Sequence, residues 1–138
     1  MVFIINDPGE FRQPVGTILV IDDDPKIQSV IRDCLANEYL ILTSDDGILG
    51  INKAQDRKPD LILLDVLMPR MNGCATVKHL FALPETKNIP VVIMTAKDFD
   101  DGMIHLLKRE PNVAAFLPKP FQPKTLRKIV HDALKKEP

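Results

Sequence analysis

Four hydrophobic runs in this 138-residue chain each end on a residue that can handle a phosphate or a metal ion. Thr17-Ile18-Leu19-Val20-Ile21 runs into Asp22-Asp23-Asp24, and Leu61-Ile62-Leu63-Leu64 runs into Asp65. Val91-Val92-Ile93-Met94 runs into Thr95, and Ala114-Ala115-Phe116-Leu117 leads through Pro118 to Lys119. Laid side by side as parallel strands, these runs gather carboxylates, a hydroxyl and an ammonium at one edge of a sheet, where open α/β sheets bind ligands. Two like charges about 4 Å apart repel by roughly 4 kcal/mol at an effective dielectric near 20. A cluster of Asp22, Asp23 and Asp65 is therefore tolerable mainly if a cation or shifted pKa values relieve it. Magnesium suits the role, being a hard ion that takes a few carboxylates together with water and phosphate oxygens. With Lys119 as counter-charge and Thr95 as hydroxyl donor, a carboxylate nucleophile in this setting describes a phosphoryl-transfer site.

The elements that must position these residues follow from pattern. From Thr17 onward, apolar runs of strand length alternate with segments of helical period. Asp24-Pro25 reads as an N-cap followed by proline in the first turn. A weaker strand over Tyr39 to Thr43 precedes Asp45-Asp46-Gly47 and a helix to about Asp56. Asn72-Gly73 opens a helix to about Leu83, and a short helix is expected around Met103 to Lys108. The last helix runs from Lys124 to Lys136, with Leu126, Ile129, Val130, Ala133 and Leu134 on one face. Cys34 lines up with Ile27, Val30, Ile31 and Leu35 as a small core residue. Strands apolar on both faces imply a parallel sheet covered by helices on each side. The fold class is thus α/β, a doubly wound five-stranded parallel sheet in the flavodoxin-like order 2-1-3-4-5. Pro118 belongs on an edge strand, since it cannot donate to a ladder. Residues 1–16 read as a flexible extension in which Pro8, Gly9, Pro14 and Gly16 break regular structure, and 17–138 as one domain.

Composition narrows the function. A hydrophobic content of 45% supports one real core, and a net charge of -1 argues against nucleic acid or an anionic membrane as the main partner. Cys34 and Cys74 share no metal or disulfide spacing. His79, His105 and His131 fall on three different helices without ligand spacing. No apolar stretch approaches the roughly 20 residues of a membrane span, and the first residues make a poor signal peptide. A cytoplasmic protein is the expectation. The outer side of the last helix is basic, through Lys124, Arg127, Lys128, His131, Lys135 and Lys136, which reads as a solvated face before it reads as a docking surface.

The run Ile21-Asp22-Asp23-Asp24, the segment Leu64-Asp65-Val66-Leu67-Met68-Pro69 with Asn72-Gly73, the pair Thr95-Ala96, and Lys119-Pro120-Phe121 resemble the receiver domain of two-component response regulators, in order and over about Thr17 to Lys136. The resemblance implies that Asp65 accepts a phosphoryl group from a sensor histidine kinase or a phosphotransfer protein. It implies magnesium, or manganese in its place, on Asp23, Asp65 and the Leu67 carbonyl, with Asp22 holding the ion through water. Lys119 and Thr95 would take two phosphoryl oxygens, Lys119-Pro120 would be cis, and Asp24 would only cap its helix. Thr95 and Phe116 would switch together, altering a face of helix four, strand five and helix five that contacts a downstream protein. Phe116 lacks the hydroxyl of the tyrosine found in many relatives. Leu67 and Lys97 match positions flanking the path of the hydrolytic water and offer nothing to orient it, so slow self-dephosphorylation is expected. Arg109-Glu110-Pro111-Asn112 departs from the family's usual end of helix four. Two rivals compete: a small phosphohydrolase resembling the haloacid dehalogenase superfamily, using Asp22 and Asp24, and a receiver-like docking module that is never phosphorylated. The first leaves Asp65 without a task.

Overall fold

The computed structural model describes residues 3–5, 11–67, 72–96 and 101–135. Two short strands, β1 (Ile4–Ile5) and β2 (Phe11–Arg12), pair antiparallel. The main sheet is built from β3 (Gly16–Ile21), β4 (Tyr39–Ser44), β5 (Leu61–Asp65), β6 (Val91–Thr95) and β7 (Val113–Pro118). These five strands are parallel and lie in the order β4-β3-β5-β6-β7, which is 2-1-3-4-5 counted along the chain. The expected doubly wound sheet is therefore present, and Pro118 ends an edge strand.

The helices α1 (Pro25–Leu35), α2 (Gly47–Arg57), α3 (Gly73–Ala82), α4 (Asp101–Lys108) and α5 (Pro123–Leu134) divide between the two faces. Alternation along each strand decides which face a residue serves. Ile18, Val20, Leu61, Leu63, Val92 and Met94 pack with Ile31 and Leu35 of α1 and Leu126 and Val130 of α5. Leu19, Ile21, Ile62, Leu64 and Ile93 pack with Ile51 and Ala54 of α2, Val77 and Leu80 of α3, and Leu107 of α4. Each such buried aliphatic side chain contributes about 1.5–3 kcal/mol. The central strands β3, β5 and β6 read as unbroken apolar runs because both their faces are covered.

Caps set where three helices begin. Asp24 accepts from Lys26 N at 2.9 Å with Pro25 at the first position, Asp46 accepts from Leu49 N at 2.8 Å, and Asn72 accepts from Ala75 N at 2.9 Å. Helix α2 ends on Lys58, whose left-handed backbone (φ 46°) closes the turn. Helices α2 and α3 approach the sheet closely through glycine. A Cβ on Gly50 would stand 2.5 Å from Ile21 Cδ1, and one on Gly73 would stand 2.6 Å from Val66 Cα.

Three expectations need correction. Regular structure does occur within the first sixteen residues, at Ile4–Ile5 and Phe11–Arg12. A two-residue pair needs only β-formers on both sides of a breaker, and Ile4, Ile5 and Phe11 are such residues. Gly16 belongs to β3 rather than to the extension, because its register partner Tyr39 already lies on β4. Val30 is 43% exposed, so the core stripe of α1 is narrower than its apolar spacing implies.

Candidate functional site

Register alone brings the chemistry together. Ile21 pairs with both Ser44 and Leu64, so Asp22, one step on, stands level with Asp65. Asp65 pairs with Met94, and Thr95 pairs with Pro118, which sets Lys119 just beyond Thr95. The Lys119 N–H donates to the Thr95 carbonyl at 2.7 Å, tying the ends of β6 and β7. The Lys119-Pro120 peptide is cis, as expected.

Asp22, Asp23 and Asp65 each offer a carboxylate oxygen, and these oxygens lie within 4.8 Å of one another. Asp22 is fully buried, Asp65 is 7% exposed and Asp23 is open to solvent. Lys119 Nζ reaches in from β7, standing 2.9 Å from Asp22 Oδ2 and 3.5 Å from Asp65 Oδ2. Asp22 Oδ1 accepts from Asp24 N at 2.8 Å, and Asp65 Oδ1 accepts from Leu67 N at 3.2 Å. Burial pushes the Asp65 carboxyl above its ordinary pKa. The Leu67 N–H and Lys119 pull it down by less, and the neighbouring Asp22 charge adds to the rise. A charged Asp65 is thus held against a desolvation penalty that further positive charge would offset. Clustered hard oxygens, one of them open to solvent, match the donor set a divalent ion such as magnesium takes, and among the described residues no cysteine or histidine joins them.

The remaining expected residues are placed as follows. Thr95 is buried at the end of β6. Phe116 is half-buried on β7, packs against the core under α4, and has Lys108 Nζ 5.9 Å from its ring centroid. Leu67 is 57% exposed beside Asp65. Lys97, Met68 and Lys136 lie outside the described residues. Asp24 turns its carboxylate to its own helix, which leaves the dehalogenase-like pairing of Asp22 and Asp24 without support. His79 and His105 are exposed, and His131 lies 3.5 Å from Glu38 on the surface. Asn112, in the unusual turn after α4, is buried and donates to the Val77 carbonyl of α3 at 3.1 Å.

Sequence reasoning missed one participant. Gln28 on α1 donates through Nε2 to the Asp22 carbonyl at 2.6 Å and to Asp45 Oδ1 at 3.0 Å. No motif marks a lone glutamine. Its position six residues after Asp22, one turn into a capped helix, was the available signal.

The chain matches the response regulator receiver domain over residues 18–131. It is 30% identical over 121 residues to the protein PilH of Pseudomonas aeruginosa, covering 87% of this chain and 98% of PilH. It is 36% identical over 109 residues to the hybrid signal transduction histidine kinase D of Dictyostelium discoideum, covering 79% of this chain but only 7% of that protein's length. Among solved structures, the chemotaxis protein CheY4 of Vibrio cholerae superposes with a TM-score of 0.78 at 28% identity, covering 85% of this chain and 97% of that one. The chain belongs to the response regulator receiver domain family. Its site and its relatives fit a phosphoacceptor of two-component signalling. Among the described residues, no helix is long and apolar enough to cross a membrane.

Proposed function

We propose that Asp65 is the phosphoacceptor, taking a phosphoryl group from the phosphohistidine of a sensor histidine kinase or phosphotransfer protein. An Asp65 carboxylate oxygen forms the new bond to phosphorus while the phosphorus–nitrogen bond breaks, and the imidazole leaves with the electron pair. The observation that carries this reading is the sharing of Lys119 between Asp22 and Asp65, 2.9 Å and 3.5 Å away. A tethered ammonium already neutralises the site where charge will build, so little reorganisation is needed at the moment of transfer. Asp23, Asp65 and the Leu67 carbonyl would hold magnesium, or manganese in its place, with Asp22 supporting it. The ion supplies charge neutralisation between carboxylates and phosphate.

An acyl phosphate brings about two negative charges and strong acceptors to Asp65. Lys119 pairs with one phosphoryl oxygen and Thr95 donates its hydroxyl to another. Because the Lys119 N–H already holds the Thr95 carbonyl, the two ends move as a unit. Phe116 turns toward the space beside Thr95, and the face of α4, β7 and α5 changes its preference for a downstream protein. In this reading residues 17–138 form the receiver, 1–16 an extension, and the protein works in the cytoplasm as a phosphoacceptor rather than a turnover enzyme. Incubation with a small acyl phosphate donor and magnesium should give a phosphoprotein resolved by phosphate-affinity electrophoresis. Asp65→Asn should give none, and equal phosphorylation of that variant would rule out the assignment. A docking module with no phosphoacceptor role would give no phosphoprotein at all.

A further inference from the structure

Asp22 has a partner at every one of its polar atoms. Its N–H donates to the Ser44 carbonyl at 3.0 Å, Oδ1 accepts from Asp24 N, and Oδ2 accepts from Lys119 Nζ. Its carbonyl is taken by Gln28 Nε2 at 2.6 Å, the shortest of these bonds. A carboxamide NH2 carries two hydrogens, and the second points to Asp45 Oδ1 at 3.0 Å. One side chain on α1 therefore joins the end of β3 to the loop between β4 and α2, with an ionised acceptor on the loop side.

The Asp22 carbonyl belongs to the peptide that links Asp22 to Asp23. Peptide planarity means that fixing this carbonyl fixes the plane from which the Asp23 Cα leaves. The Asp23 carboxylate is exposed and makes no hydrogen bond among the described residues, so its placement depends on the backbone that carries it. We propose that Gln28 is a positioning residue for divalent-ion binding: its carboxamide, braced by Asp45, sets the Asp22–Asp23 peptide so that Asp23 faces Asp65. This role rests on the reading of the acidic cluster as a magnesium site. It makes Asp45, exposed in the β4–α2 loop, part of the site's control, although Asp45 is not one of the three clustered carboxylates.

The test is magnesium titration of the full chain by calorimetry, with the thermal midpoint in chelator recorded for every variant. Gln28→Met keeps the length of the side chain and removes the donor. It should weaken magnesium binding about fivefold, the equivalent of one ordinary hydrogen bond. Asp45→Asn and Asp45→Leu lose the same charge, but only asparagine keeps an oxygen acceptor. Asp45→Asn should therefore bind magnesium more tightly than Asp45→Leu, and adding Asp45→Leu to Gln28→Met should cost less than it does alone. A Gln28→Met variant whose midpoint falls while its magnesium constant stays that of the wild type would overturn the proposal, leaving Gln28 a brace for α1. Equal binding by Asp45→Asn and Asp45→Leu would overturn the part played by Asp45. A wild type that takes no magnesium would instead overturn the metal reading itself and this role with it, whereas a magnesium response that Asp23→Asn abolishes keeps that reading in place.

Discussion

Asp65 is buried among groups that cannot all satisfy its charge, and its pKa is raised chiefly by that burial. In the interval between the ordinary carboxylate value and the raised one, the folded chain keeps a proton that the unfolded chain has released. Stability therefore falls as pH rises through that interval and stays reduced above it. Asp65→Asn removes the penalty. Measured without divalent ions, its thermal midpoint should exceed that of the wild type at pH 7, with the gain shrinking as pH drops toward the ordinary carboxylate range. A variant no more stable at neutral pH would show that Lys119 and the Leu67 N–H already balance the burial. Beside Asp65, the exposed Leu67 side chain carries no polar group to orient water. Leu67→Asn with Lys97→Glu should speed loss of the phosphoryl group, followed as decay of the phosphoprotein after the donor is removed. An unchanged decay rate would refute the expectation of slow self-dephosphorylation from these positions.

At the level of elements, two glycine contacts set how closely helices approach the residues flanking the acidic site. Gly73 starts α3 against Val66, the residue after Asp65, and a methyl there would meet the Val66 backbone together with its stiff β-branched side chain. Gly73→Ala should cost about 1–3 kcal/mol by overpacking, read from denaturant unfolding, and should also weaken magnesium binding because Val66 must shift. Loss of stability with unaltered binding would separate the helix junction from the site. The central strands were legible in the sequence because burial on both faces leaves long apolar runs. The edge strand over Tyr39 to Thr43 was weaker in sequence because its alternate residues are only partly covered. The pair β1 and β2 was missed because two-residue strands lie below the length at which periodicity carries information. Asp24 illustrates the reverse, since a cap is local and its chemistry is written beside the turn it closes.

Across the whole molecule, the acidic site is a tie between distant parts of the sheet. Lys119, just past the carboxyl end of edge strand β7, neutralises carboxylates at the ends of β3 and β5. Four strand-end residues announced this gathering, because parallel topology forces the ends together whatever lies between them. Gln28 was not legible, since its bond to Asp45 spans 17 residues and depends on where α1 meets the β4–α2 loop. Lys119→Met should destabilise the ion-free fold by roughly 3 kcal/mol, since it strands the buried Asp22 charge. The same change should tighten magnesium binding, because a competing cation has been removed; weaker binding would argue that Lys119 organises the carboxylates rather than substituting for the ion. The proposal on which the rest depends is that Asp65 carries the phosphoryl group. Its most direct test is borohydride reduction of the chain after treatment with an acyl phosphate donor and magnesium, followed by peptide mapping. Conversion of Asp65 to homoserine with Asp22 and Asp23 intact is expected, and reduction at another aspartate with Asp65 untouched would overturn the assignment.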